Sequence, residues 1–330
     1  ILLTIIVVVV LEKGLTGKVW ADLFLIATFS IISLILLLKD MKINSDFKLI
    51  KEPLKFSLPL LPHMLSGFLL SAIDRIFLER ITNLDDVGIY SLAFNIGLLL
   101  YVFIDAVRLS YTPYFNKTAV NEGDKAKPKF AKITTYAFLL YTVAGIFMII
   151  FAKEFIMLVA DEDYHSAYTV FPIMIVANIL NGLYFFFVRP LMFLKDQTKF
   201  VSIATLTAAF ANIVLNYFLI IEYGMKGAVW ATLLSVVIKL LLIRYFAGKK
   251  YLIKYESKRL FIIIFIIILS VLLFYLFEYL DFNLLYSIIL KASAFIFLLL
   301  LLFLTRFFNK EEFNFAKEVL FNFKNKLQRK

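Results

Sequence analysis

Long apolar runs separated by short charged links dominate the pattern of hydrophobic and polar positions along this chain. Several runs reach about 20 residues, the length that an α-helix needs to cross roughly 30 Å of hydrocarbon. The pattern therefore predicts an all-α integral membrane protein with about ten transmembrane helices. The predicted segments are residues 1–11, 19–38, 56–78, 88–113, 133–152, 168–192, 200–221, 227–247, 261–280 and 284–305.

Lysine and arginine residues fall mostly on one side of this predicted arrangement. One set of alternate links, together with the C-terminal tail, carries 24 of them, and the other set carries 5. Because cytoplasmic connections are enriched in lysine and arginine, we expect the first set and the C-terminus to lie in the cytoplasm. The tail at 306–330 interleaves phenylalanine with basic residues, which predicts an amphipathic segment on the anionic leaflet.

Composition excludes several classes of function. The chain is 62% hydrophobic and 18% charged, whereas soluble domains are near half apolar and a quarter charged. The net charge of +11 would suggest nucleic-acid binding in a soluble protein, but the topology accounts for it and no nucleic-acid partner is expected. The sequence has no cysteine, which rules out thiolate metal sites, and it shows no zinc motif, nucleophile elbow or P-loop. We expect no metal, no cofactor and no enzymatic activity.

An internal repeat predicts the organisation of the helices. Residues 14–23 (GLTGKVWADL) align without a gap on residues 224–233 (GMKGAVWATL), with six of ten positions identical and both tryptophans of the chain at one position. The two copies open the second and eighth predicted helices, so they lie six helices apart on the same side of the membrane. This spacing predicts two parallel six-helix lobes followed by two extra helices. It also leads us to expect a fourteen-helix parent whose first four helices precede this sequence.

The repeat divides the chain into five predicted parts. They are the last two helices of the N-terminal lobe (1–38), a cytoplasmic inter-lobe linker (39–55), a six-helix C-terminal lobe (56–247), two extra helices (248–305) and a cytoplasmic amphipathic basic tail (306–330).

Several short motifs in this order resemble a known family. They are Pro59 in a helix entry, Asp74-Arg75 near the far end of that helix, the helix start Val87-Gly88-x-Tyr90-x-x-Ala93, and the turn Gly224-x-x-Gly227. Together with the repeat and the two final helices, they resemble polysaccharide transporters of the multidrug/oligosaccharidyl-lipid/polysaccharide exporter superfamily, the Wzx-type O-antigen flippases.

The resemblance implies a flippase in the bacterial cytoplasmic membrane. Such a protein moves undecaprenyl-diphosphate-linked oligosaccharide across the bilayer by alternating access, for the synthesis of O-antigen, capsule or exopolysaccharide. It would contact membrane lipids, could be coupled to protons or sodium ions, and could work with polysaccharide polymerases. The alternative is a cation-coupled multidrug exporter of the same superfamily, for which an acidic or aromatic cavity in a twelve-helix protein would be expected.

Ionisable residues inside predicted spans mark the candidate substrate site, because a charge at the centre of a spanning helix costs roughly 2.5–3.5 kcal/mol and usually faces a partner or a wet cavity. Lys239 lies 12 residues into its segment, a depth of about 18 Å, which favours a cavity cation. Arg244 lies nearer the cytoplasm and could instead snorkel. Asp105 and Arg108 could form an ion pair within one helix or offer the arginine to a phosphate.

Uncharged polar residues and prolines supply the other candidates. Two asparagine pairs, each on one helix face, could line a sugar path or bond neighbouring helices. Asp74 and Arg75 are candidates for gating or coupling, as are two prolines that could form a hinge at a helix entry. Lys291, in the last predicted helix, is expected to snorkel to the outer surface. The asparagines are Asn178, Asn181, Asn212 and Asn216, and the prolines are Pro59 and Pro62.

Overall fold

The computed structural model describes residues 13–40, 61–194, 196–280 and 282–309, together with Val7, Lys51, Leu54, Ser57, Leu58 and Glu312. The chain divides into two compact units, residues 1–54 and 55–330. In the first unit the described residues form one helix, α1 (Gly14–Asp40). The first predicted segment, residues 1–11, falls almost wholly outside the described residues.

The second unit is built from helices joined by short turns. Its helices are α2 (Leu61–Ile81), α3 (Leu84–Glu122), α4 (Lys127–Ile150), α5 (Ala152–Val159), α6 (Phe171–Phe193), α7 (Thr198–Lys250), α8 (Ser257–Leu280) and α9 (Leu284–Leu304). Two 3₁₀ turns, Gly123–Ala126 and Glu162–Thr169, connect α3 to α4 and precede α6. The described residues contain no β-strand, as the sequence predicts.

Glycines at positive φ make two of the sharp reversals. Gly123 (φ +56°) ends α3, and Gly224 (φ +54°) divides α7 into a first arm (198–223) and a second arm (225–250). A residue with a Cβ is strained in this region of backbone space, whereas glycine enters it freely. Gly227 follows close behind, and a Cβ there would collide with the backbone of Leu219. The Gly-x-x-Gly motif is therefore a tight turn between two packed helices, as the repeat analysis predicts.

Helix α6 lies at the centre of the second unit. It packs against α3, α4 and α7, while α2 packs against α7 and α8 packs against α4. Aromatic side chains fill the junction of α3, α4 and α6: the rings of Phe115 and Phe130 stack with centroids 4.2 Å apart, and Tyr111 meets Phe186 at 4.6 Å. Pairs of this kind favour close helix packing.

Six helical stretches of the described chain are long and apolar enough to cross a membrane, and two of them, of 67 and 53 residues, contain the reversals at Gly123 and Gly224. Many large apolar side chains on the helix surfaces are exposed. An exposed apolar surface of this extent is stable against lipid rather than water, so the chain is a multi-pass membrane protein. The six-helix repeat and its five predicted parts stay predictions.

Candidate functional site

A cavity of about 380 Å³ lies between α2, α3, α6 and the second arm of α7. Most of its wall is aromatic or aliphatic, and most of its polar groups come from α6 and α7. Such a mixture, an apolar wall with a few convergent polar groups, is typical of ligand sites. Its lining residues include Tyr101 and Phe94 of α3, Asn178, Asn181, Tyr184 and Phe185 of α6, and Thr232, Ser235 and Lys239 of α7.

Lys239 supplies the only cation among the described residues that line this cavity. Its Nζ donates a hydrogen bond of 2.7 Å to Oδ1 of Asn181, and it lies 4.6 Å from the ring centroid of Tyr184. The amide oxygen and the ring face hold the ammonium in place without neutralising it, because neither carries a formal charge. Within the described part of the chain, the cavity therefore presents a fixed positive charge that no carboxylate pairs with.

The two asparagines of α6 also line the cavity, one turn apart. Asn178 donates from Nδ2 to the carbonyl of Gly97 at 3.1 Å, which ties α6 to α3, and Asn181 accepts from Lys239. Both amides keep further hydrogen-bonding atoms for a polar ligand. Of the predicted site residues, the structure brings Lys239, Asn178 and Asn181 together in one cavity wall.

The other predicted cations do not line this cavity. Arg108 Nε donates to Asp105 at 2.5 Å, within α3, and its guanidinium lies 5.2 Å from the ring of Phe185, which does line the cavity. Arg244 lies against the rings of Phe187 and Tyr255, at 5.8 and 5.0 Å. Asp105 and Arg108 thus form the ion pair within one helix that the sequence left open, beside the cavity rather than in it.

Asp74, fully buried on α2, is the centre of a separate network of hydrogen bonds. Its Oδ2 accepts from the hydroxyl of Tyr90 at 2.5 Å and from that of Thr232 at 2.7 Å, and its Oδ1 accepts from Asn216 Nδ2 at 2.6 Å. Asn212, also fully buried, accepts from Asn216 at 3.1 Å. The network joins α2, α3 and both arms of α7.

The network carries a charge that its hydrogen-bonding partners do not balance. All three donors to Asp74 are neutral, and no basic side chain of the described residues forms an ion pair with it. The neighbouring Arg75 donates to Ser91 at 2.9 Å and lies over the ring of Phe94. Two buried amide atoms, Asn212 Nδ2 and Asn216 Oδ1, have no hydrogen-bond partner. A buried carboxylate in this setting calls for a proton or a cation.

The second asparagine pair therefore differs from the first. Asn212 and Asn216 are completely buried around Asp74 and do not line the cavity. Tyr90 and Thr232 belong both to the network and to the cavity wall, which makes them the physical link between the two. Neither had been singled out from the sequence as a site residue, because their contacts with Asp74 span 16 and 158 positions.

The hinge at the two candidate prolines stays a prediction. Pro59 lies outside the described residues, and Pro62 is the second residue of α2. A proline in the first turn replaces a backbone N–H that has no helical partner, so Pro62 fits the helix start without a break.

The structure contradicts the expectation that the side chain of Lys291, on α9, snorkels to the outer surface. Its side chain is fully buried, and Nζ contacts Glu154 of α5 at 2.7 Å and Glu278 of α8 at 3.1 Å. Lys153 adds a second contact to Glu278 at 3.1 Å. The expectation was wrong because two partly buried carboxylates supply the partners that snorkelling would otherwise find in water. This cluster ties both final helices to the body of the second unit.

Comparison with known proteins places this geometry in context. A family model described as "Polysaccharide biosynthesis protein" matches residues 1–119. An Lsg locus protein of Haemophilus influenzae is 25% identical over 149 residues, which cover 45% of this chain and 37% of that protein. The protein of Haloferax volcanii named "Probable low-salt glycan biosynthesis flippase Agl15" is 23% identical over 197 residues, which cover 59% of this chain and 42% of that protein.

A solved structure titled "Lipid II flippase MurJ, inward closed conformation" shares the fold. Its TM-score is 0.66 at 17% sequence identity, over 90% of this chain and 64% of the MurJ chain. This chain thus spans less than half the length of the two curated relatives and less than two thirds of MurJ. The three findings agree with the resemblance seen in the sequence motifs.

Proposed function

We propose that this chain belongs to the polysaccharide flippase family and forms part of a transporter that moves undecaprenyl-diphosphate-linked oligosaccharide across the bacterial cytoplasmic membrane by alternating access. The observation that carries the proposal is the fixed ammonium of Lys239, which no carboxylate of the described residues neutralises, in a cavity of about 380 Å³. The transporter would serve the synthesis of a surface polysaccharide.

The chemistry of the cavity suits a lipid-linked sugar diphosphate. Lys239 offers charge-assisted hydrogen bonds to a phosphate oxygen, and Asn178 and Asn181 offer amide groups to sugar hydroxyls. The aromatic side chains Phe94 and Tyr101 supply flat apolar faces on which a sugar ring can lie. Binding of this kind needs no bond to be made or broken, so the proposal is transport rather than catalysis.

Similarity to other flippases supports the substrate class. One relative bears the name of a glycan biosynthesis flippase, and the fold is that of a lipid II flippase. A cationic cavity also suits an anionic substrate better than the cationic drug that the alternative, a multidrug exporter, would carry.

Asp74 is the proposed coupling site for a proton or a sodium ion. The carboxylate, the amide oxygen of Asn212 and the hydroxyl of Thr232 are oxygen ligands of the type that sodium accepts, and the buried amide oxygen of Asn216 has no partner. A proton on Asp74 would also balance the charge. Thr232 and Tyr90 also line the cavity. Binding of a proton or a sodium ion at Asp74 can therefore shift side chains in the cavity wall.

The role of Lys239 can be tested in cells. Lys239→Gln, introduced into the chromosomal gene, keeps a polar side chain one atom shorter than lysine but removes its charge. We expect surface polysaccharide to fall by roughly tenfold or more, because a hydrogen bond to a charged group is worth about 1.5–3 kcal/mol. Immunoblotting of membranes should show unchanged protein. Lys226→Gln, at an exposed lysine in the turn of α7, is the matched control, and normal polysaccharide in Lys239→Gln would refute the assignment.

A further inference from the structure

A second cavity, a groove of about 520 Å³, opens between α3 and α4, away from the proposed substrate cavity. Its floor is apolar and consists of Val107 of α3 and Ile133, Ala137 and Leu140 of α4. Its rim carries two ammonium groups and two phenol rings. The rim residues are Tyr114, Lys129, Lys132 and Tyr136.

The groove lies at the level of a membrane interface. Its rim is at the first turns of α4, and its floor runs into the apolar part of the same helix. Tyrosine and lysine are enriched where a helix leaves the hydrocarbon. The lysine distribution predicts that this end faces the cytoplasm, where the leaflet is anionic.

The rim lysines are held in place but keep their charge accessible. Lys129 bonds both carboxylate oxygens of Glu122 at 2.7 Å, and its side chain stays 53% exposed. Lys132 contacts Glu312 at 3.2 Å and is 54% exposed. That glutamate also accepts from both terminal nitrogens of Arg259, at 3.2 and 2.9 Å. Lys132 therefore shares its carboxylate with Arg259, and the pair of Lys129 with the partly exposed Glu122 is of the kind that binds weakly.

We propose that this groove binds an anionic phospholipid of the membrane. An acyl chain lies along the apolar floor, and the headgroup phosphate lies at the rim between Lys129 and Lys132. Charge complementarity selects this occupant: the floor accepts a hydrocarbon chain, and the paired ammonium groups select a lipid with net negative charge over a zwitterionic one. The inference does not depend on the proposed transport function, since it uses none of the residues of the substrate cavity.

The test uses the purified chain in nanodiscs of phosphatidylcholine, with or without phosphatidylglycerol. Native mass spectrometry counts the phosphatidylglycerol molecules that stay bound, and thermal unfolding reports stabilisation. The wild-type chain should retain phosphatidylglycerol. Lys129→Gln/Lys132→Gln should weaken its retention by about 30-fold, or about fivefold for each lysine, from the typical contribution of one basic residue at an anionic surface.

Two further variants separate the groove from general surface charge. Lys249→Gln/Lys250→Gln removes two exposed lysines from the end of α7, outside the groove, and should retain the lipid like the wild type. Val107→Phe narrows the floor without changing charge and should also reduce retention. The proposal fails if the two double variants lose lipid equally, or if phosphatidylglycerol is retained no better than phosphatidylcholine.

Discussion

Two buried polar clusters in the second unit differ in how their charges are balanced. Around Lys291, two lysines meet two glutamates: Lys153 and Lys291 contact Glu278, and Lys291 also contacts Glu154. Around Asp74, one carboxylate meets only neutral donors. Both clusters join several helices, yet only in the first do the described residues supply positive and negative charges in equal number.

This difference separates a structural clamp from a candidate switch. A balanced cluster of ion pairs gains nothing from an added ion, so the Lys291 cluster should hold α8 and α9 in place in every state. An unbalanced buried carboxylate is unstable by itself, so the Asp74 network should change with the proton or cation that balances it. An intramembrane ionisable residue without an ionic partner is the better candidate for function.

The largest expected effect is on the clamp. Lys291→Met removes the buried cation and leaves two partly buried carboxylates, of which only Glu278 keeps a lysine, Lys153, beside it. This should lower the free energy of unfolding by up to about 3–5 kcal/mol. Chemical unfolding in detergent measures this loss. Adding Glu154→Gln to Lys291→Met removes one of the stranded charges and should recover part of the loss. If Lys291→Met is as stable as the wild type, the Lys291 cluster does not hold α8 and α9 in place.

A smaller effect on stability is expected at Asp74. Asp74→Asn removes the unbalanced charge at nearly constant volume, so the free energy of unfolding should change by no more than about 1 kcal/mol. The wild type should be stabilised by sodium ions or by lower pH, and the variant by neither. Thermal unfolding over a series of sodium concentrations and pH values measures both. Equal responses in wild type and variant would contradict the assignment of Asp74 as the coupling site.

The smallest effect is expected at Glu312, outside the predicted membrane spans. Burial raises the pKa of this carboxyl, but hydrogen bonds from Arg259 and from the Asn309 backbone outweigh it and lower the pKa from 4.5 to about 2. Because the pKa of Glu312 is lower in the folded state than in the unfolded state, its ionised carboxylate stabilises the fold above pH 4.5. This stabilisation is lost as the pH falls toward about 2. Between pH 4.5 and about 2, the free energy of unfolding should change more with pH for the wild type than for Glu312→Gln. If the free energies of unfolding of the two proteins change with pH in parallel, the contact between Glu312 and Arg259 does not stabilise the fold.

The sequence predicts the helices better than the partners of their polar residues. Apolar run length predicts α1, α8 and α9, and the Gly-x-x-Gly pattern predicts the reversal at Gly224, because these features depend on neighbouring residues. The Lys291–Glu154 contact spans 137 positions, and nothing local distinguishes a lysine that snorkels from one that finds a distant carboxylate. Depth alone singled out Lys239, which lines a cavity, but it led wrongly from Lys291 to the outer surface.

The same limit explains the mixed result for the asparagines. Helical spacing shows that Asn178 and Asn181 share one face, and that Asn212 and Asn216 share another. It does not show that the first face meets a cavity while the second meets Asp74, because that depends on how α2 and α6 pack against α7.

The central claim is that the cavity binds a prenyl-linked diphosphate through Lys239. The most direct measurement is the affinity of the purified chain for farnesyl diphosphate, compared between the wild type, Lys239→Gln and the control Lys226→Gln. If Lys239 binds the diphosphate, Lys239→Gln should weaken binding by roughly tenfold or more, whereas Lys226→Gln should bind like the wild type. Equal affinity in all three proteins would contradict it.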